Sequence, residues 1–266
     1  MLDLFHYTFV VRGLSAGIII AIVAPLIGIF LVLRRYSLIA DTLSHVSFAG
    51  VAIGFLLGIN PIITAITAAI LSSVAIERLR MSKKVYGESA LSLFLSGSLA
   101  VAIVLISLYH GFNVNLSNYL FGSLVTVTQT DVAIVAIAGL VVALTVLAFY
   151  KEMVFISFDE EAAQVSGIPV RFINTLLIIL AALTVALAIP IIGILLISAL
   201  IVIPVLGGLQ FRSSFRTTLI IAECISLLSV LLGIIISFYL NLSTGGTIVI
   251  LTLIFFGLSV LWNSDK

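Results

Sequence analysis

Only 9% of this 266-residue chain is charged, and it holds one cysteine, one tryptophan and five prolines. Each shortage excludes something. A lone cysteine, Cys224, rules out an internal disulfide and a cysteine-rich metal site. Soluble domains carry roughly 25% charged residues, so the chain is too poor in charge to be one. The net charge of +1 gives no electrostatic ground for a nucleic-acid partner. No G-x-x-x-x-G-K-[ST] run is present, hence no P-loop, and no H-E-x-x-H, which argues against an intramembrane metalloprotease. The N-terminus lacks a basic n-region, short apolar core and small-residue cleavage site, so the first apolar run is expected to direct insertion. No polar stretch is long enough to fold as a domain of its own. Any chemistry that drives this protein is therefore expected on another subunit.

What the chain does hold is apolar sequence: 62% of its residues are hydrophobic and the mean hydropathy is +1.40. A helix needs roughly 20 apolar residues to cross the hydrocarbon core. Runs at 10–33, 37–57, 61–76, 89–108, 132–149, 172–189, 191–209, 217–239 and 247–261 predict an all-α polytopic membrane protein, one transmembrane domain over residues 1–266. The stretch 172–209 is too long for one crossing, and Pro190 with Gly193 is its natural break, as a hairpin or a broken helix. That gives eight or nine transmembrane helices, with nine the favoured reading. Of the twelve Lys/Arg, all but Arg12 fall on one side if the N-terminus lies outside and the C-terminus is cytoplasmic. The segments 109–131 and 241–246 are then external. Gly50, Gly54 and Gly58, like Gly13 and Gly17, recur every four residues, a spacing that lets helix backbones approach closely in lipid.

Asp41 and His45 are the informative pair. Positions i and i+4 lie one above the other on a helix face. A carboxylate and an imidazole there can grip one cation, and both are ordinary ligands of divalent transition metals. Ionisable groups within a bilayer are costly, which makes the pair a candidate site by default. The alternative is a hydrogen-bonded pair that pins two helices. Glu223, another ionisable residue within an apolar run, could line a pathway, snorkel or stay protonated. His6 and His110 fall outside the predicted core and read as solvated. Gly13-Leu14-Ser15-Ala16-Gly17 fits the G-x-S-x-G nucleophile pattern, but that motif needs a strand-to-helix turn and no triad partners follow it here. The segment 158–169 reads as a short cytoplasmic helix with Asp159, Glu160 and Glu161 at its start and Gly167 and Pro169 at its end. It is either a capped connector or a docking surface for a cytoplasmic subunit.

Four blocks carry a family resemblance. They are Arg-Arg-x-Ser-Leu-x-x-Asp-x-x-Ser-His at 34–45, Phe-Asp-Glu-Glu-x-Ala at 158–163, Tyr119-Leu120-Phe121-Gly122-Ser123, and the Gly193-to-Pro204 stretch. With them the chain resembles, over essentially its whole length, the permeases of bacterial zinc/manganese/iron ABC uptake transporters, and so the metal-chelate-type importer fold. The Asp41–Gly50 block looks closest to the zinc members, since it lacks the proline that manganese members tend to carry after the histidine. After Pro204, where the family usually has small alanines, this chain has Leu206-Gly207-Gly208. The resemblance implies a transport subunit in the bacterial cell membrane that is not itself an enzyme and holds no cofactor. Its substrate would be Zn²⁺, or Mn²⁺ or Fe²⁺ by the same architecture. It implies a homodimer, a separate cytoplasmic ATPase dimer and an extracellular metal-binding lipoprotein. It also implies an ATPase-coupling role for Phe158, Asp159, Glu160, Glu161 and Ala162, and makes Glu223 and Pro204 candidate pathway residues. Two protomers could bring Asp41 and His45 twice, a tetrahedral set suited to Zn²⁺. An ion-coupled secondary transporter is the reading of a different class, but no convincing internal repeat supports it.

Overall fold

The computed structural model describes residues 6–82, 85–108 and 115–264, and these contain twelve α-helices. Eight are long and apolar enough to cross a membrane: α1 (Thr8–Leu33), α2 (Ser37–Leu57), α3 (Pro61–Met81), α4 (Gly87–Leu108), α6 (Gln129–Ala148), α9 (Val170–Ile192), α11 (Phe215–Leu240) and α12 (Thr244–Ser264). Four are short: α5 (Asn115–Phe121), α7 (Tyr150–Phe158), α8 (Glu160–Val165) and α10 (Ile197–Leu209). Local signals set the ends. Gly58 stops α2 in a left-handed conformation (φ 66°), and Asn60 caps α3 by accepting from the Ile62 amide at 2.9 Å, with Pro61 in the first turn. Thr128 and Asp131 form a reciprocal capping box at the start of α6.

The break in the long 172–209 stretch falls at Gly193, not at Pro190. Pro190 sits in the last turn of α9, and its carbonyl accepts from the Ser123 amide at 3.1 Å. Gly193 follows with φ 88°, and a Cβ there would strike the Leu120 carbonyl. Only glycine fits such a backbone without strain. The helix that comes next, α10, has 13 residues and reaches about 20 Å, short of the roughly 30 Å hydrocarbon core.

Aromatic contacts show that this short helix still takes the chain across. Tyr7 packs on Phe238 (5.7 Å between ring centroids), and Phe30 packs on Phe215 (5.5 Å), so α1 and α11 run antiparallel. The Gly193 turn sits at the Tyr7 end, against Leu120 and Gly122, where Ser243 donates to the Phe121 carbonyl at 3.0 Å. Phe215 lies at the opposite end. The chain between them therefore traverses the bundle as a short helix with irregular leads. Eight full-length helices and one incomplete crossing reconcile the two predicted span counts.

The core belongs to α9, α2 and α1, whose most apolar windows are 78%, 72% and 67% buried, whereas α4 is 6% buried and forms the periphery. Glycines set the closest crossings. Gly50 and Gly54 lie against the backbone of α3, and Gly28 against the Ile201 carbonyl of α10. Gly13 and Gly17 face Leu124, Val230 and Ile234. Gly58 does not join this packing: it ends α2, with nothing within 4 Å of where its Cβ would be.

Candidate functional site

Helix α2 is buried on most sides, by α3, α4, α9 and α10. Its first two turns leave one stripe open. Leu38 is 58% exposed, and Asp41 and His45, three and seven residues further on, are half-buried on the same face. Beyond His45 that face closes, with Phe48 and Ala49 buried. There a small apolar cluster of Phe48, Val51, Ile189 and Ile194 is overlaid by Phe55, Tyr119 and Leu120. The stripe is thus open toward the Phe215 end of the bundle and covered toward the Tyr7 end.

Among the described residues, neither side chain has a partner elsewhere in the protomer. No hydrogen bond or ion pair joins Asp41 to His45, and the buried Nδ1 of His45 has no partner. The neighbouring hydroxyls are turned inward: Thr42 donates to the Leu38 carbonyl at 3.0 Å and Ser44 to the Asp41 carbonyl at 2.7 Å. This leaves one carboxylate and one imidazole per chain, a turn apart, as free donors of the two kinds that bind transition metals. Among the described residues no group of three or more His, Cys, Asp or Glu could hold a metal ion. One protomer offers an incomplete ligand set.

A second constellation lies at the Phe215 end, where α7 breaks at Asp159 and re-forms as α8. The Asp159 side chain accepts from the Ala162 amide at 2.8 Å and caps α8, while Ala163 is fully buried and seats it on the bundle. Phe158 (67% exposed), Glu161 and Val165 (89% exposed) face outward, and Ala162 is half-buried. Glu160 differs from its neighbours. Its Oε2 is 3.3 Å from Nη2 of Arg34, and its Oε1 accepts from Asn174 Nδ2 at 3.0 Å. The same carboxylate, 49% exposed, thus ties α8 to the turn before α2 and to α9. An open cleft of about 800 Å³ adjoins it, lined among others by Arg80, Gln164, Arg171 and Asn174.

This network extends through residues whose role the sequence pattern alone did not suggest. Two guanidinium groups approach the Tyr36 ring, with Arg34 at 5.0 Å and Arg80 at 4.2 Å from its centroid. Arg80 pairs at 2.9 Å with Glu77, which is 1% exposed. The expected end of this span at residue 76 put Arg80 in a loop, but α3 continues to Met81. The i, i+3 spacing of Glu77 and Arg80 was the available signal. At the other end, burial beside the Asp131 carboxylate pushes the Tyr119 phenol up to about 12.

The remaining candidates separate. Ser15 donates to the Val11 carbonyl at 2.7 Å on α1, bound to its own helix as no nucleophile elbow would be. His6 is exposed, His110 lies outside the described residues, and Cys224 is an exposed thiol on α11. Glu223 is half-buried on α11 and Pro204 is buried within α10. Gly207 and Gly208, just beyond Pro204, are packing positions: a Cβ at either would press on Ile225 or on the Thr218 carbonyl of α11. Helix α10 packs on both α2 and α11, and so lies between Glu223's helix and the Asp41 helix.

Comparison with known proteins agrees with this arrangement. Residues 6–263 match the ABC 3 transport family. A probable metal transport system membrane protein of Treponema pallidum is 36% identical over 91% of this chain and 90% of its own length. A high-affinity zinc uptake system membrane protein of Haemophilus influenzae is 30% identical over 93% of this chain and 95% of its own. Other matching proteins are named for manganese and for chelated iron transport. Among solved structures, PsaBC from Streptococcus pneumoniae in complex with Fab superposes with a TM-score of 0.86 at 30% identity, covering 96% of this chain and 92% of that one.

Proposed function

The chain belongs to the ABC 3 transport family, and from that premise we propose that it is the membrane permease of a bacterial ABC importer that moves a divalent transition metal into the cell, with Zn²⁺ as the first substrate to test. The observation that carries the substrate class is the Asp41–His45 pair, unpartnered on the open stripe of an otherwise buried helix. An imidazole nitrogen discriminates against Mg²⁺ and Ca²⁺, and the ordinary affinity order places Zn²⁺ above Fe²⁺ and Mn²⁺ for such a site. Relatives named for zinc, manganese and iron support the class and leave the choice among the three to experiment.

Two ligands per chain are too few for a transition metal, so the site is completed by a second copy with its own Asp41 and His45 across a two-fold axis. The sequence holds no P-loop, and a separate ATPase pair drives the cycle from the side where α8 lies. An extracellular metal-binding lipoprotein delivers the ion at the Tyr7 end. The described basic residues support that orientation. Arg34, Arg35, Arg78, Arg80, Lys151, Arg171, Arg212 and Arg216 belong to the Phe215 end, and Arg12 lies near the other.

The test is uptake of labelled Zn²⁺ by cells that co-express the permease, ATPase and binding protein, in competition with Mn²⁺ and Fe²⁺. Zinc uptake that a tenfold excess of the other ions leaves unchanged supports the assignment. Uptake abolished by Mn²⁺ transfers it to manganese, and uptake that persists without the ATPase overturns the importer reading.

A further inference from the structure

The Arg-Arg pair before α2 and the acidic start of α8 are 126 positions apart in the chain, yet they meet in one ion pair. Resting on the proposed engagement of the ATPase at α8, we propose that Glu160 is a positioning residue for transport. Through its pair with Arg34 it carries displacement of the docking segment into helix α2, and so to Asp41 and His45.

The argument begins with Arg34, whose side chain is only 5% exposed although it is charged. Glu160, 49% exposed, is the carboxylate that pairs with this enclosed charge, and losing it would leave the guanidinium only the Tyr36 ring, which favours the pair moving together. Arg34 sits in a closed turn between α1 and α2. Arg35 takes a left-handed conformation (φ 59°), the Arg35 and Tyr36 amides bond back to the Val32 and Leu31 carbonyls of α1 at 3.0 and 2.7 Å, and the Ile39 amide of α2 bonds to the Tyr36 carbonyl at 3.0 Å. Helix α2 starts at Ser37, and Asp41 lies about 6 Å further along it. A shift of Arg34 is therefore carried to the end of α1 and the start of α2 together.

Tyr36 adds a branch to this link. Its ring, approached by both Arg34 and Arg80, joins the same point to the end of α3. Asn174, holding the other oxygen of Glu160, does something different: it anchors the carboxylate to α9, the most buried helix of the bundle. One contact of Glu160 leads to the turn before the metal-ligand helix and the other to α9. The two can be removed separately.

The experiment uses the permease assembled with its ATPase and binding protein in lipid vesicles. Three quantities are read: bound ATPase per permease, ATP hydrolysed, and Zn²⁺ transported per ATP. Glu160→Gln should retain the ATPase at wild-type stoichiometry while transport per ATP falls at least fivefold. Asn174→Ala should leave that ratio within twofold of wild type. The charge exchange Arg34→Glu with Glu160→Arg should recover at least half of the ratio lost in Glu160→Gln. Wild-type coupling in Glu160→Gln would overturn the proposal. So would release of the ATPase by Glu160→Gln, which would make Glu160 a docking contact, or equal uncoupling by Asn174→Ala, which would reduce the pair to general bracing. Should the exchange variant not fold, the contrast between Glu160→Gln and Asn174→Ala decides alone. Failure of the docking reading would show elsewhere, as undiminished ATPase binding by Val165→Asp.

Discussion

Asp41 and His45 share the open stripe of α2, one helical turn apart, and no hydrogen bond joins them. That relationship separates the two readings of the pair. A strut between helices contributes stability, which its removal costs, whereas an unpartnered ligand pair contributes little to the apo protein. Asp41→Asn and His45→Ala should each lower Zn²⁺ uptake at least tenfold. Unfolding stability should stay within about 0.5 kcal/mol of wild type, as for substitutions away from packed features. Uptake assays beside thermal melts of the purified protein check both, and full transport by stable His45→Ala protein would falsify the site.

The docking surface is expected on α8 where it faces outward. Val165→Asp places a charge on a residue that is 89% exposed, and Glu161→Lys reverses one that makes no internal pair. Both variants should fold and insert normally while capturing less than a tenth of the wild-type amount of ATPase in co-purification. Normal capture by both would remove α8 from the interface.

Orientation can be read by thiol labelling. Cys224 is exposed on α11, so the background must be Cys224→Ser. In that background, Leu242→Cys at the Tyr7 end should react in intact cells with an impermeant maleimide, and Ser166→Cys at the Phe215 end only after lysis. The reverse pattern would invert every assignment of sides.

Gly193 provides a stability test with an internal control. Its φ of 88° and the nearby Leu120 carbonyl leave no room for a Cβ, so Gly193→Ala should destabilise the protein by about 2 kcal/mol or more. Gly257 lies in α12 with nothing within 4 Å of its prospective Cβ, so Gly257→Ala should be neutral or slightly stabilising, by up to about 1 kcal/mol. Equal thermal shifts for the two would contradict the packing at the Tyr7 end.

Sequence alone determined the class, the helices and the candidate ligands, because each rests on local physics. Bilayer thickness fixes how long an apolar run must be, and the spacing of Asp41 and His45 fixes that they share a face. Even Gly193 was legible as part of a break, since few residues tolerate its backbone. Contacts between distant segments were left to the tertiary structure. It made α10 a short crossing, because packing of the Gly193 turn on Leu120 and Gly122 put that turn at the Tyr7 end. It tied the exposed Glu160 into the bundle, because its partners, Arg34 and Asn174, come from other parts of the chain. It showed Asp41 and His45 unpaired, which their spacing left open. A helix face follows from a repeat of 3.6 residues, but which neighbour covers it depends on how the remaining helices pack, and no local pattern carries that information.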